Sequence, residues 1–202
     1  LYGHNGILYE QINNNVNILP EIASLATLRE SLYMKIKHGC LYSAMLRIRD
    51  EVRARLGNEY NHDDSWRAVV ERSVKQIEKE YDLALGFFMP FDILKKKVKA
   101  KVKVGWIHTD YCADSSDAQD LLNEYSGLDY IAAVSEQSAD SFCKMVPQLK
   151  DRVLIIENSI SINSLILDSE KFSVQSEMPD DGSVRLLSIG RFCEAKNFDN
   201  IP

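Results

Sequence analysis

The stretch VKVGWIHTDYCAD, from Val102 to Asp114, decides how the rest of the chain is read. It opens with Val102, Val104, Trp106 and Ile107 around Gly105, then turns abruptly polar with His108, Thr109, Asp110, Cys112 and Asp114. A buried sheet strand that ends in a functional loop has this pattern, because in open α/β sheets the ligand crevice lies beyond the carboxyl ends of the strands. His108, Asp110, Cys112 and Asp114 recur at intervals of two, so an extended loop would turn them one way as metal ligands; no second dense cluster accompanies them. Two other readings of His108 stay open beside that one. The imidazole sits at the edge of a core with no chemical duty, or it reaches into a crevice where it exchanges hydrogen bonds with a polar ligand near neutral pH.

Working outward, similar units flank this strand. Downstream, a helix from about Ser116 to Tyr125, capped by Ser115 or Ser116 and closed by Gly127, leads to the apolar strand Tyr130 to Val134. Ser135 and Glu136 open a further helix to about Met145, Pro147 breaks it, and VLIIEN forms a strand ending at Asn158. Upstream, a helix from Ser65 to Glu80 precedes a buried strand at Leu83 to Phe88, stopped by Met89 and Pro90, with Phe91 to Leu94 as a short connection. Apolar strands alternating with helices at this spacing predict an α/β fold, a Rossmann-like parallel sheet with helices on both faces.

Leading into the central strand, Lys95, Lys96, Lys97, Lys99, Lys101 and Lys103 crowd together, alternating with Val98, Ala100 and Val102 through the later part. Such a face protects an edge strand or aids solubility; alternatively it meets anionic lipid headgroups or attracts a phosphorylated substrate. Further upstream, helical spacing of Ile22, Leu25, Leu28, Leu32 and Ile36, and then of Leu41, Ala44, Met45, Ile48, Val52 and Leu56, predicts two helices from Glu21 to Leu56, parted at Gly39. Seven lysines and arginines between Arg29 and Arg55 make either a solvated face or a basic amphipathic surface for anionic lipid. Residues 1–20 predict a turn at Asn13 to Asn15 and a short strand at Val16 to Leu19, too ragged for the first strand of a sheet. With Leu1 in place of an initiator methionine, this opening suggests a fragment whose first strand is missing.

At the other end, Ser159 to Pro179 is irregular, and SVQSEMPDDGS has the composition of a connector. Val184 to Gly190 is again a buried-strand pattern, and Phe198 opens a helix. Gly190 and Arg191, with Lys196 five residues on, place a flexible backbone and two cations between strand and helix. That arrangement neutralises a diphosphate, since cations and a helix amino end both favour negative charge. A Gly-Arg pair near a lysine is also an ordinary surface feature.

Composition narrows the classes. The 202 residues are 45% hydrophobic and carry a net charge of −6, enough for a sizeable core and against a general nucleic-acid binder. Cys40, Cys112, Cys143 and Cys193 are scattered without CxxC pairing, as free thiols in a reducing compartment would be. The Walker loop, GxGxxG, HExxH and GxSxG patterns are absent, which disfavours dinucleotide-dependent epimerases among other classes.

The runs KVGWIHTDY, LDYIAAVSEQSADSFCKMVPQLKDRVLIIENSI and VRLLSIGRFCEAKNF, in that order, resemble bacterial glycosyltransferases of family 4 over roughly Tyr81 to Pro202. The resemblance implies a GT-B architecture of two Rossmann-like domains facing each other across a cleft. It further implies a nucleotide-diphosphate sugar donor, retention of configuration, no required metal and no other cofactor. The implied acceptor is a hydroxyl of a polysaccharide or a lipid-linked glycan, in the cytoplasm or on the inner face of the membrane, with no nucleic-acid partner. Arg191 and Lys196, after Gly190, match the basic pair on the donor diphosphate, and His108 matches the cleft histidine that approaches the transferred sugar. Ser135 and Glu136 resemble the family's VSE loop, and Asn158 the asparagine before the interdomain crossing. Where the family has Pro-Asn-Gly, Glu157 and Ser159 flank Asn158 here, so glycine's conformational freedom is missing. The family's Gly-rich loop and the acidic segment of its donor domain are not found either. The resemblance therefore divides the chain into an acceptor-side domain over residues 1–160, a connector over 161–182 and the start of a nucleotide-sugar domain over 183–202, not expected to turn over alone. The alternative is a non-catalytic sugar- or lipid-binding α/β module.

Overall fold

In the computed structural model, residues 9–27, 30–57, 62–112, 117–175, 177–178, 181–184, 187–193 and 198–200 are described. Two compact units divide the chain, Leu1–Asn158 and Ser159–Pro202. In the first, helices α1 (Ala23–Ala26), α2 (Leu32–Lys37), α3 (Leu41–Arg55) and α4 (His62–Ser73) precede a sheet. The sheet has four parallel strands, β1 (Ile77–Gly86), β2 (Val98–Ile107), β3 (Tyr130–Ala133) and β4 (Val153–Ile155), lying side by side in chain order. Helices α5 (Asp92–Lys97), α6 (Ala118–Tyr125) and α7 (Glu136–Met145) are the crossovers. This is the expected fold class, an α/β Rossmann-like sheet with helices packed against it.

A pair of glycines sets the central packing. Gly86 and Gly105 are register partners on β1 and β2. A Cβ on Gly86 would lie 2.6 Å from Phe91 Cδ1, and one on Gly105 would lie 2.5 Å from Leu128 Cδ1 and 2.9 Å from Phe91 Cε2. The two strands thus present a bare floor on which the buried Phe91 ring rests, against Tyr125 with ring centroids 5.1 Å apart. Around it, Leu94, Ile107, Leu121, Leu128, Ile131, Phe142 and Val146 form one core between the sheet and its crossover helices.

Carboxylates complete that packing. Buried Glu124 on α6 accepts from the backbone N–H of Phe91 and from Arg67 of α4, whose guanidinium also bonds Asp92 at the start of α5. A second cluster, Leu25, Leu46, Val69, Val70 and Val74, joins the preceding helices, and Ile93 of α5 packs against it.

Several expected boundaries are corrected. The helix expected to run to Glu80 ends at Ser73, and the strand expected at Leu83 to Phe88 begins at Ile77. The alternating acids of β1 explain the shift, because Glu78 and Asp82 lie 3.6 and 2.6 Å from Lys99 and Lys101 of β2. The segment Phe91 to Leu94, expected as a connection, enters α5, which takes Lys95 to Lys97. Helix α6 is capped by Asp117, whose carboxylate accepts from the N–H groups of Gln119 and Asp120; Ser115 and Ser116 lie outside the described residues.

The expected strand at Val16 to Leu19 does not form; these residues are a bend followed by irregular chain. The first expected N-terminal helix is split into α1 and α2, with Leu28 outside the described residues. Of the expected stripe Ala44 is buried, but Leu41, Met45, Ile48, Val52 and Leu56 are exposed, whereas Ser43, Leu46 and Asp50 face inward. Helical spacing identified the helix but not its buried face, because polar Ser43 and Asp50 share that face.

The second unit contains α8 (Ile162–Ser169), with Ser161 capping the N–H of Ser164, and a 3₁₀ turn at Phe198–Asn200. No strand occupies the described residues of 184–190, and Val184 is 90% exposed. A strand needs a neighbouring backbone for its N–H and C=O groups, and none of the described residues of this unit supplies one.

The glycine floor predicts that Gly105→Ala destabilises the chain by about 1–3 kcal/mol, as overpacking of a rigid core does. Urea unfolding followed by circular dichroism checks this, with Gly39→Ala on the open surface, at φ 69°, as the substitution whose cost is backbone strain without a clash.

Candidate functional site

Because all four strands are parallel, their carboxyl ends share one edge. Register places Ile107 beside Ala133 and Ala133 beside Ile155, so the residues that follow them are neighbours across strands about 5 Å apart. Phe87 and Phe88 follow β1, His108 follows β2, Ser135 and Glu136 follow β3, and Asn158 lies beyond β4. The sequence-predicted residues of this unit are thus gathered on one side of the sheet.

His108 is half-buried and held by two interactions. Its Nε2 lies 2.7 Å from the carbonyl oxygen of Phe87, and its ring packs against Phe87 and Phe88 with centroids 4.4 and 4.7 Å away. A carbonyl can only accept, so Nε2 carries the proton. In the neutral ring Nδ1 is then the acceptor, and it has no partner among the described residues. Phe87 and Phe88 are themselves exposed, which gives an apolar ledge with one polar atom on it.

The loop after His108 is fastened from two sides. Asp110 accepts from the Ser141 hydroxyl and the Cys112 N–H at 3.0 Å through Oδ1, and from Gln137 Nε2 at 3.3 Å through Oδ2. Its carboxylate therefore ties the loop to α7. On the other side, buried Tyr125 of α6 donates to the carbonyl of Trp106 at 3.2 Å and meets the Tyr111 hydroxyl at 2.8 Å. Burial, and then the neighbouring Tyr111, push the Tyr125 phenol above its usual range, so it stays a neutral donor. Asp114 lies outside the described residues, and among those described no group of three His, Cys, Asp or Glu side chains is placed to hold a metal.

The other predicted residues are placed as follows. The Ser135 hydroxyl caps α7, accepting from Ser138 N–H at 3.2 Å, and Glu136 is exposed at the first position of that helix. Asn158 is exposed at the end of the first unit. Gly190 and Arg191 belong to the second unit, both exposed, and Lys196 lies outside the described residues.

Three contributors escaped the sequence reading. Phe87 and Phe88 pass for the tail of a buried strand, although a pair of aromatics cannot point both rings inward. Ser141 is an unremarkable helix residue until the loop it holds comes near in space.

Asp110→Ala is expected to cost about 1–2 kcal/mol, the value of its hydrogen bonds, and to speed hydrogen exchange at the Cys112 amide. Amide exchange by NMR reads this directly, and unchanged protection would mean the anchor is idle. No protein-family model, curated protein or solved structure matches the chain.

Proposed function

We propose that this chain belongs to a retaining glycosyltransferase of the two-domain GT-B kind, carrying the acceptor-side domain and the beginning of the donor-side one. Its Rossmann-like α/β fold is compatible with nucleotide-binding and transferase enzymes in general. What carries the finer reading is the open Nδ1 of His108 on an aromatic ledge at the carboxyl edge of a parallel sheet, beside Ser135 and Glu136. The order of the sequence runs resembling family 4 supports it from a separate direction.

In this reading the donor is a nucleotide-diphosphate sugar. His108 Nδ1 receives a hydrogen bond from a sugar hydroxyl, while Phe87 and Phe88 cover the apolar face of the ring. Arg191 and Lys196 stabilise the departing nucleoside diphosphate, and the acceptor hydroxyl attacks from the same face. Fixed cations contribute most where negative charge develops in the transition state. No step is assigned to a metal, and Asp110 is no base, since both its oxygens are engaged.

A lipid-linked acceptor agrees with α3. Its exposed Leu41, Met45, Ile48 and Val52 lie on a helix that also carries Arg47, Arg49, Arg53 and Arg55, a composition suited to an anionic membrane surface. The lysine run is less suited, because Lys96, Lys99 and Lys101 pair with carboxylates, and Lys95 and Lys103 bond to carbonyl oxygens. Among the described residues no helix is long and apolar enough to cross a membrane.

The test is a nucleotide-sugar screen on the natural polypeptide carrying these residues, with glycan and lipid-linked acceptors. Arg191→Ala and Lys196→Ala are expected to lower transfer about 10²–10³-fold and His108→Ala to lower it about tenfold or more, all with unchanged thermal melts. Wild-type rates in all three variants would remove the assignment. Sugar binding without turnover would identify a binding module instead.

A further inference from the structure

Helix α3 turns its apolar residues outward. Ser43, Leu46 and Asp50 form its buried side, whereas Leu41, Met45, Ile48, Val52 and the C-cap Leu56 are between 46% and 71% exposed. Their spacing of three or four residues sets them in one stripe, about 22 Å long, on the side turned away from Leu46 and Asp50. From Glu51 to Gly57 every residue is exposed, so the last turns of the helix stand clear of the core. Single exposed apolar residues are ordinary, but a continuous row marks a docking surface.

The rim of the stripe is basic. Arg47 pairs with Glu51 at 3.1 Å and Arg49 with the buried Asp50 at 2.9 Å, which occupies both acids of the helix. Arg53 and Arg55 have no carboxylate partner among the described residues. Two positions apart on the helix, they fall on opposite flanks of the stripe. An arginine stem lies along apolar surface while its charge is held outward, so the complementary occupant is an apolar layer edged with negative charge.

Geometry selects among such occupants. A protein groove encloses an amphipathic helix, but the far side of α3 is packed into the core through Leu46, which leaves a partner only the stripe to reach. A flat surface meets the whole stripe and both flanking cations at once. A second copy fits poorly, because a twofold contact sets the same patch against itself. Arginines of both helices would then meet where both acids are already paired.

We propose that α3 lies along the surface of an anionic lipid bilayer. Its apolar stripe sits at the boundary between headgroups and acyl chains, with Arg53 and Arg55 on lipid phosphates. As the place where a lipid-linked acceptor is met, this surface rests on the reading given above; the membrane contact itself is measured without turnover. Failed partition therefore leaves sugar transfer standing, and failed transfer leaves partition standing.

The experiment is sedimentation of the natural polypeptide carrying these residues with phosphatidylcholine vesicles, with and without phosphatidylglycerol. Pelleting that requires phosphatidylglycerol is expected, and it weakens as salt is raised. The double variant Arg53→Gln, Arg55→Gln is expected to partition about tenfold more weakly, and so is Ile48→Ser, Val52→Ser. All four side chains are exposed, and unchanged thermal melts check that both variants are folded. Absence of pelleting, equal pelleting without phosphatidylglycerol, or wild-type partition in either double variant overturns the proposal. Self-association that is lost in Ile48→Ser, Val52→Ser, without pelleting, overturns it in favour of a second copy.

Discussion

The Phe91 ring lying on Gly86 and Gly105 is the contact on which the first unit depends. Any side chain at either glycine would lift the ring, and with it α5, away from the sheet. The same seating puts the Phe91 N–H within reach of Glu124, and Glu124 and Asp92 together hold Arg67. One flat patch of backbone thus positions α4, α5 and α6 at once. It also fixes β1 against β2 in the register that brings the carbonyl of Phe87 to His108.

Charge in this molecule is mostly spent inside the fold. The alternation that makes KKKVKAKVKV look like a basic patch matches the alternation of acids on the adjacent strand, so two charged strands neutralise each other along their length. Cross-strand pairs of this kind add little stability each, but they disfavour a slip of one residue, which would set Glu80 and Asp82 opposite uncharged residues and break the pairs. On α3, Arg47 pairs with Glu51 and Arg49 with Asp50.

Much of this was legible in the residues. The apolar runs around Val104, Ile131 and Leu154 marked three parallel strands, and Ser135 marked the start of α7, because strand periodicity and capping are local properties. The first strand was misplaced because Glu78, Glu80 and Asp82 are polar in sequence and acquire their meaning only opposite lysines. The place of His108 directly after a buried strand was readable. Its partner, a main-chain carbonyl, leaves no trace in sequence, and neither does the contact between Asp110 and Ser141. The strand pattern at Val184 to Gly190 shows the converse case, a local preference with no backbone beside it to realise it.

The bond from His108 to the Phe87 carbonyl has a chemical consequence. An imidazole whose single proton is committed to the main chain can recognise direction in a hydrogen bond. It holds a group that has a hydrogen to give and repels an ether oxygen placed at the same point, lone pair against lone pair. A neutral ring held this way favours a free hydroxyl over an ether at that point, a distinction that neither aromatic neighbour can make.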